Sequence, residues 1–156
     1  MKCRLRRAVA IAVGSWMALA LTLAPAVSEE PERGSLTVVV VDLENDEGQV
    51  VVALLDSAEA YEEEMVAFRE AMPKISERKV SVTFEDVPYG TYALKVIHDE
   101  NGNGKLDTNF IGIPKEHFGF SNNAMGRFGP PDFEQTKFVL ESAHMTMEIK
   151  ARGVTD

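Results

Sequence analysis

The sequence predicts a mainly β protein: an antiparallel β-sandwich with one inserted α-helix and a long structured loop. Three observations lead there. Short runs rich in β-branched residues recur along the chain, several of them alternating apolar and polar residues as a half-buried strand does. Only one stretch carries helical spacing. Short turns join most of the elements, as in a sandwich rather than in a series of βαβ units. Of the 156 residues, 45% are apolar and 26% charged, a globular composition that supports a single core.

The chain opens on an address. Lys2, Arg4, Arg6 and Arg7 precede an uncharged apolar run over 8–24 around Trp16 and Met17. Small residues follow, so the segment has the three parts of a signal peptide. Cleavage can fall after Ala24-Pro25-Ala26 or after Ala26-Val27-Ser28; we take the second, which makes 1–28 the signal peptide. A retained anchor is the rival reading, since the run is at the short limit of a bilayer span, but the small-residue site favours removal. Arg6-Arg7 reads as ordinary basic-region charge, and Cys3 precedes the apolar run, so it is not the lipid-bearing Cys of an exported lipoprotein.

Cys3 is the single Cys, which excludes an intramolecular disulfide or a Cys-based metal site. With 16 basic against 25 acidic residues the net charge is −9, which repels nucleic acid and anionic membrane surfaces. Cleavage would remove basic residues and no acidic ones, and would leave a chain without Cys, suited to an oxidising compartment. The expected location is periplasmic or secreted, with no stable membrane span after cleavage and no nucleic-acid partner.

Residues 29–34 should form a flexible leader, and 35–152 a single β-sandwich domain. S-L-T-V-V-V-V-D-L at 35–43 and the run 50–55 predict two adjacent strands joined by a turn through Asn45, Asp46 and Gly48. Both are nearly continuous in apolar residues, which places them inside a sheet. Asp56 with Glu59 then forms a capping-box pattern, and Ala58, Tyr61, Met65, Phe68 and Met72 keep helical spacing until Pro73. Glu59, Glu62, Glu63 and Glu64 fan around this helix as a solvated face, not a metal cluster. Val80, Val82 and Phe84 mark a half-buried strand, and Tyr92, Leu94 and Val96 another, joined by a tight turn through Pro88 and Gly90. Phe138 and Leu140 with Met145, Met147 and Ile149 predict a terminal hairpin.

Between Ile97 and Thr136 the chain lacks periodicity over a length that compact domains keep only for loops that are functional or held in place. Oxygen-bearing side chains fall at Asp99, Asn101, Asn103 and Asp107, with Gly104 at the bend and Leu106 apolar. That spacing matches the first nine positions of an EF-hand-type calcium loop, with the Lys105 carbonyl as a further ligand. The twelfth position, where a bidentate Glu belongs, is Phe110. Calcium is thus the expected cofactor, held weakly and with help from carbonyls, water or distant carboxylates. The competing reading is an Asn/Gly turn bonded to its own backbone.

Five of the eight Phe lie over 109–133. Most of them should tuck under the loop and pin it to the sandwich, leaving Asn122, Asn123 and Arg127 as polar candidates for a recognition face. His98 beside Asp99, and His117 near Ser121, would allow a hydrolytic or metal-dependent site. The chain nevertheless carries no nucleophile elbow, no H-E-x-x-H and no phosphate-cradling Gly loop.

The run G-T-Y-A-L-K-V-I-H-D-E-N-G-N-G-K-L-D-T-N-F-I-G-I-P-K-E at 90–116, with G-F-S-N-N at 119–123 and F-G-P-P-D-F at 128–133, resembles the domain of unknown function family 2141, exported bacterial proteins. The likeness spans 35–151 and is densest over 88–133. It implies an Ig-like or prealbumin-like sandwich outside the cytoplasm, and no known reaction. The turn at 88–92 also resembles the P-x-G-x-Y turn of carboxypeptidase-regulatory-like sandwiches, which is an architectural likeness only.

The first functional expectation is an exported, non-enzymatic binding or structural module of the cell envelope, its long loop ordered by calcium and presented to an envelope or extracellular component. The alternatives are a small metal-dependent hydrolase using His98, Asp99 and His117, and a carrier of a small apolar ligand.

Overall fold

The computed structural model describes residues 32–63, 66–127 and 129–154. The signal peptide 1–28, residues 29–31 of the expected leader, and Glu64, Met65, Phe128, Thr155 and Asp156 lie outside the described residues. Arg33 and Gly34, expected in the flexible leader, instead belong to the first strand, paired with Pro88 and Val87. The strands are β1 (Arg33–Val41), β2 (Gln49–Leu55), β3 (Arg69–Ala71), β4 (Val80–Pro88), β5 (Gly90–Asp99), β6 (Phe118–Phe120), β7 (Phe138–Leu140) and β8 (His144–Lys150). One sheet runs β4-β1-β8 and the other β3-β2-β5-β6, with β7 also paired to β5. All these pairings are antiparallel except that of β1 with β8, which is parallel.

The two sheets close on one core, which makes the protein a β-sandwich. Leu36, Val38 and Val40 of β1, Phe84 of β4 and Ile149 of β8 belong to the same buried cluster as Val50, Val52 and Leu54 of β2 and Leu94 and Val96 of β5. In β1 the fully buried residues alternate with partly buried Thr37 and Val39, the period of two that a pleated strand imposes. In β2 Val51 and Leu55 are buried as well. The outer face of that strand is covered too: Leu55 and Ala93 pack with Ala60, Tyr61, Phe120 and Phe133 in a second cluster. This is why β2 reads as an unbroken apolar run, and the expectation of interior positions for both strands is met.

Four further expectations need correction. The strands at 35–43 and 50–55 are not paired neighbours; β1 and β2 sit in different sheets and face each other across the core. The terminal hairpin does not form, because β7 pairs with β5 and β8 with β1. In both cases the apolar pattern, whether a continuous run or an alternation, reports burial and is silent about which strand lies alongside. The corner at Pro88 and Gly90 is tight, with the Tyr92 hydroxyl donating to the Pro88 carbonyl at 2.9 Å, but it too passes the chain from one sheet to the other.

The helix is also shorter than its spacing suggests. α1 (Ala58–Glu62) is capped by Ser57, whose Oγ accepts from the Ala60 N–H at 3.1 Å, rather than by Asp56. The chain then gives up helical geometry, and β3 pairs its backbone with the open edge of β2, leaving Met72 exposed. An unpaired strand edge offers backbone hydrogen bonds that a weakly buried helical turn cannot match. A second helix, α2 (Phe133–Thr136), was not anticipated. Its signal is local: Asp132 and Gln135 form a reciprocal capping box.

Candidate functional site

The site grows out of the end of β5. His98 and Asp99 are both fully buried there, because β5 is flanked on both sides and its last residues pass beneath the loop. Asp99 Oδ1 accepts from the Asn103 N–H at 3.0 Å, and Oδ2 accepts from the Gly104 N–H at 2.6 Å and from Gln49 Nε2 at 2.8 Å. Burial alone would raise the Asp99 carboxyl pKa; the donors from Gln49, Gly104, Asn103 and Gly102 outweigh it and hold the group below its ordinary value. Asp99 is therefore a buried anion around which the loop is wound.

The remaining loop oxygens are brought to the same turn. Asn101 Oδ1 accepts from the Asn103 N–H at 3.0 Å, and Asn103 Oδ1 accepts from the Lys105 N–H at 2.8 Å. Both Asn amides reach across to Asp107, Asn101 Nδ2 to Oδ2 at 2.6 Å and Asn103 Nδ2 to Oδ1 at 3.0 Å. Gly102 and Gly104 take left-handed angles, with φ of 71° and 77°. Asp99, Asn101, Asn103 and Asp107 thus converge in one hydrogen-bonded turn, with the Lys105 N–H in the same network. Among the described residues, no three His, Cys, Asp or Glu side chains form a group able to hold a metal ion. A cation here would need Asn amides and main-chain carbonyls among its ligands.

Glu116 is the residue that sequence reasoning missed. It is 5% exposed, and its carboxylate accepts from the Glu100 N–H at 3.0 Å and from the Asp107 N–H at 2.7 Å, so it clasps both ends of the loop. Nothing in its sequence neighbourhood marks it apart from its place just after Pro114 and Lys115. From the clasp projects a small hairpin. The Lys115 N–H donates to the Asp107 carbonyl at 2.8 Å, the Asn109 N–H to the Ile113 carbonyl at 2.8 Å, and Asn109 Oδ1 takes the N–H groups of Ile111 and Ile113. Its tip presents Phe110, 99% exposed, and Ile111. Among the described loop Phe, the expectation that most tuck inward holds for Phe118, Phe120 and Phe133 and fails for Phe110.

Gly48 sets the distance between the start of β2 and this loop. It has φ of 69°, and a Cβ there would lie 2.2 Å from the Asp99 carbonyl oxygen. Gly48→Ala should therefore cost at least about 2 kcal/mol, combining left-handed strain with a clash against backbone. Urea denaturation of the variant checks this.

The other candidates separate. His98 donates from Nε2 to the Glu47 carbonyl at 2.9 Å, while its Nδ1 lies 3.9 Å from Glu100 and has no hydrogen-bond partner among the described residues. Burial, then the nearby Glu44 carboxylate, raise the Glu100 pKa, with His98 opposing them. His117 accompanies His98 through its backbone, but its ring turns to the Asp42 carbonyl and to Glu44 and lines an open cleft that neither His98 nor Asp99 reaches. Ser121 is fully buried, accepting from the Leu94 N–H and donating to the Thr136 carbonyl, which is a structural task.

Asn122 and Asn123 are likewise tied to backbone. Asn122 Nδ2 reaches the carbonyls of Gln135, Thr136 and Lys137, and Asn123 exchanges hydrogen bonds with Glu148 and Lys150 of β8. They fasten α2 and β8 to the loop, and Arg127 is exposed nearby in the chain.

No curated protein and no solved structure matches this chain. A family model described as an uncharacterized protein conserved in bacteria matches residues 38–148.

Proposed function

We propose for this chain, which belongs to the bacterial family DUF2141, the role of an exported, non-enzymatic β-sandwich binding module of the cell envelope. In this reading its 99–116 loop takes up calcium and presents the projecting hairpin to a protein, glycan or other envelope component. The observation that carries the reading is the Glu116 clasp, which closes the loop so that Asp99, Asn101, Asn103 and Asp107 share one turn. Each Asp107 oxygen accepts one hydrogen bond and so keeps a lone pair for a cation, whereas the donors on Asp99 would have to yield part of their hold to let a cation in. No bidentate Glu stands at the twelfth position of the loop, so the affinity is weak, about 10⁻⁴ to 10⁻³ M.

Calcium that binds only the folded state stabilises it by about 1.4 kcal/mol at tenfold excess over the dissociation constant. Calorimetric titration should detect binding, and Asp99→Ala should abolish the calcium-dependent rise in Tm. If millimolar calcium leaves the Tm of the wild type unchanged, the loop is a hydrogen-bonded turn. Export is checked separately: mass spectrometry of the protein recovered outside the cytoplasm should find an N-terminus lacking about 26 to 28 residues.

The hydrolase reading requires His98, Asp99 and His117 to converge around an open pocket. His98 and Asp99 are buried and only His117 lines a cleft, so the binding reading is preferred. A carrier of an apolar ligand needs an apolar cavity, whereas the two clefts at this end of the sandwich are lined mainly by charged side chains.

A further inference from the structure

The loop is not the only place where polar groups converge. Where the two sheets meet beyond the end of β1, an open cleft of about 600 Å³ is lined by Asp42, Glu44, Arg78, His117, Lys150 and Arg152. We propose that this cleft binds a small hydroxylated anion, a sugar acid or sugar phosphate, through Arg78, Lys150 and Arg152.

Charge is the first reason. Acidic residues outnumber basic ones 25 to 16 in this chain, so a basic side chain has many possible partners. Yet among the described residues Arg78, Lys150 and Arg152 form no ion pair, and all three line the same cleft. The lining carries these three permanent cations against the carboxylates of Asp42 and Glu44, and an excess of cations gathered in a concave site attracts an anion more strongly than the same charges scattered over a surface.

Rigidity is the second. Arg78 is held at φ of 57°, with its N–H donating to Asp46 Oδ1 at 2.5 Å, its carbonyl accepting from the Leu43 N–H at 3.3 Å and its Nε donating to the Leu43 carbonyl at 2.5 Å. With Nε so fixed, the outer nitrogens of the guanidinium remain for a two-pronged contact with a carboxylate or phosphate. Arg152 exchanges backbone hydrogen bonds with Phe118 at 2.9 and 3.0 Å, and the Lys150 N–H is tied to Asn123 Oδ1 at 2.8 Å. The three cations thus project from anchored backbone rather than from a free tail.

The acidic residues of the lining narrow the ligand. Glu44 stands 3.6 Å from His117 Nε2, and with Asp42 it places carboxylates in the same cleft. These repel a polyanion but accept hydrogen bonds from hydroxyl groups, so one anionic group on a hydroxylated frame satisfies both halves of the lining. The proposal does not depend on calcium in the loop.

Isothermal titration of the purified protein with glucuronate, glucose 6-phosphate and glucose tests it. Binding of either anion at about 10⁻⁴ to 10⁻³ M is expected, with glucose at least about tenfold weaker. Arg152→Gln and Lys150→Gln keep their backbone hydrogen bonds and should each weaken the anion about tenfold, whereas Lys105→Gln, in the calcium-type loop, should change nothing. Arg78→Gln should do the same provided its circular dichroism remains that of the wild type, and the other two variants decide if it does not fold. The proposal is overturned if neither anion binds, if glucose binds as tightly as glucuronate, or if Arg152→Gln and Lys150→Gln bind like the wild type.

Discussion

Glu116→Ala should cost about 2 to 5 kcal/mol and loosen the loop from Glu100 to Lys115 while the two sheets persist. The variant removes a buried carboxylate and leaves the N–H groups of Glu100 and Asp107 without their acceptor. Each abandoned donor costs about 1 to 3 kcal/mol, toward the lower end where water can enter. Glu116→Gln retains one oxygen and turns an amide toward the second donor, so it should fall between the wild type and Ala. Hydrogen exchange provides the local readout, with the Glu100 and Asp107 amides losing protection before those of β2 and β5. A loss below about 0.5 kcal/mol, with those amides still protected, would show that the clasp contributes little.

Leu94→Ala should be as damaging or more so, at about 3 to 5 kcal/mol. Leu94 is fully buried in β5, opposite Leu54 of β2, inside the cluster that both sheets share. Its own N–H is held by Ser121 Oγ at 2.9 Å, so the strand is fixed in place and the space cannot close easily around a smaller side chain. Removing several carbons from such a place forfeits both their transfer from water and their contacts with the opposite sheet. The urea midpoint should fall steeply, with the denaturant dependence unchanged if unfolding stays two-state. A small change would mean that Leu94 does not sit at the centre of a sandwich core.

The effects differ in reach. Leu94 belongs to the closure of the whole sandwich, so its loss lowers global stability. Glu116 belongs to one loop, so its loss acts first on local opening, the low-energy end of the protein's fluctuations. A protein that binds through that loop should lose calcium or partner affinity in the Glu116 variants at temperatures where its strands are still intact.

Much of the strand content was determined by the sequence alone. β1, β2, β4 and β5 are marked by β-branched runs or by alternation, because burial of one face leaves a period of two in the residues themselves. The Asp99 to Asp107 turn was legible for a similar reason: its Asn and Gly residues act on backbone within a few positions, and they do so in the structure. The tertiary structure decided what depends on partners far along the chain. It separated β1 from β2 and β7 from β8, since an apolar run or an alternation records burial and not the strand beside it. It ended α1 early because an edge of β2 was open to β3. It also brought Glu116 to the loop, and Arg78, Lys150 and Arg152 to one cleft, from segments that share no local pattern. Local chemistry is written in neighbouring residues, whereas a clasp or a cleft exists only after long-range pairing has closed the chain around it.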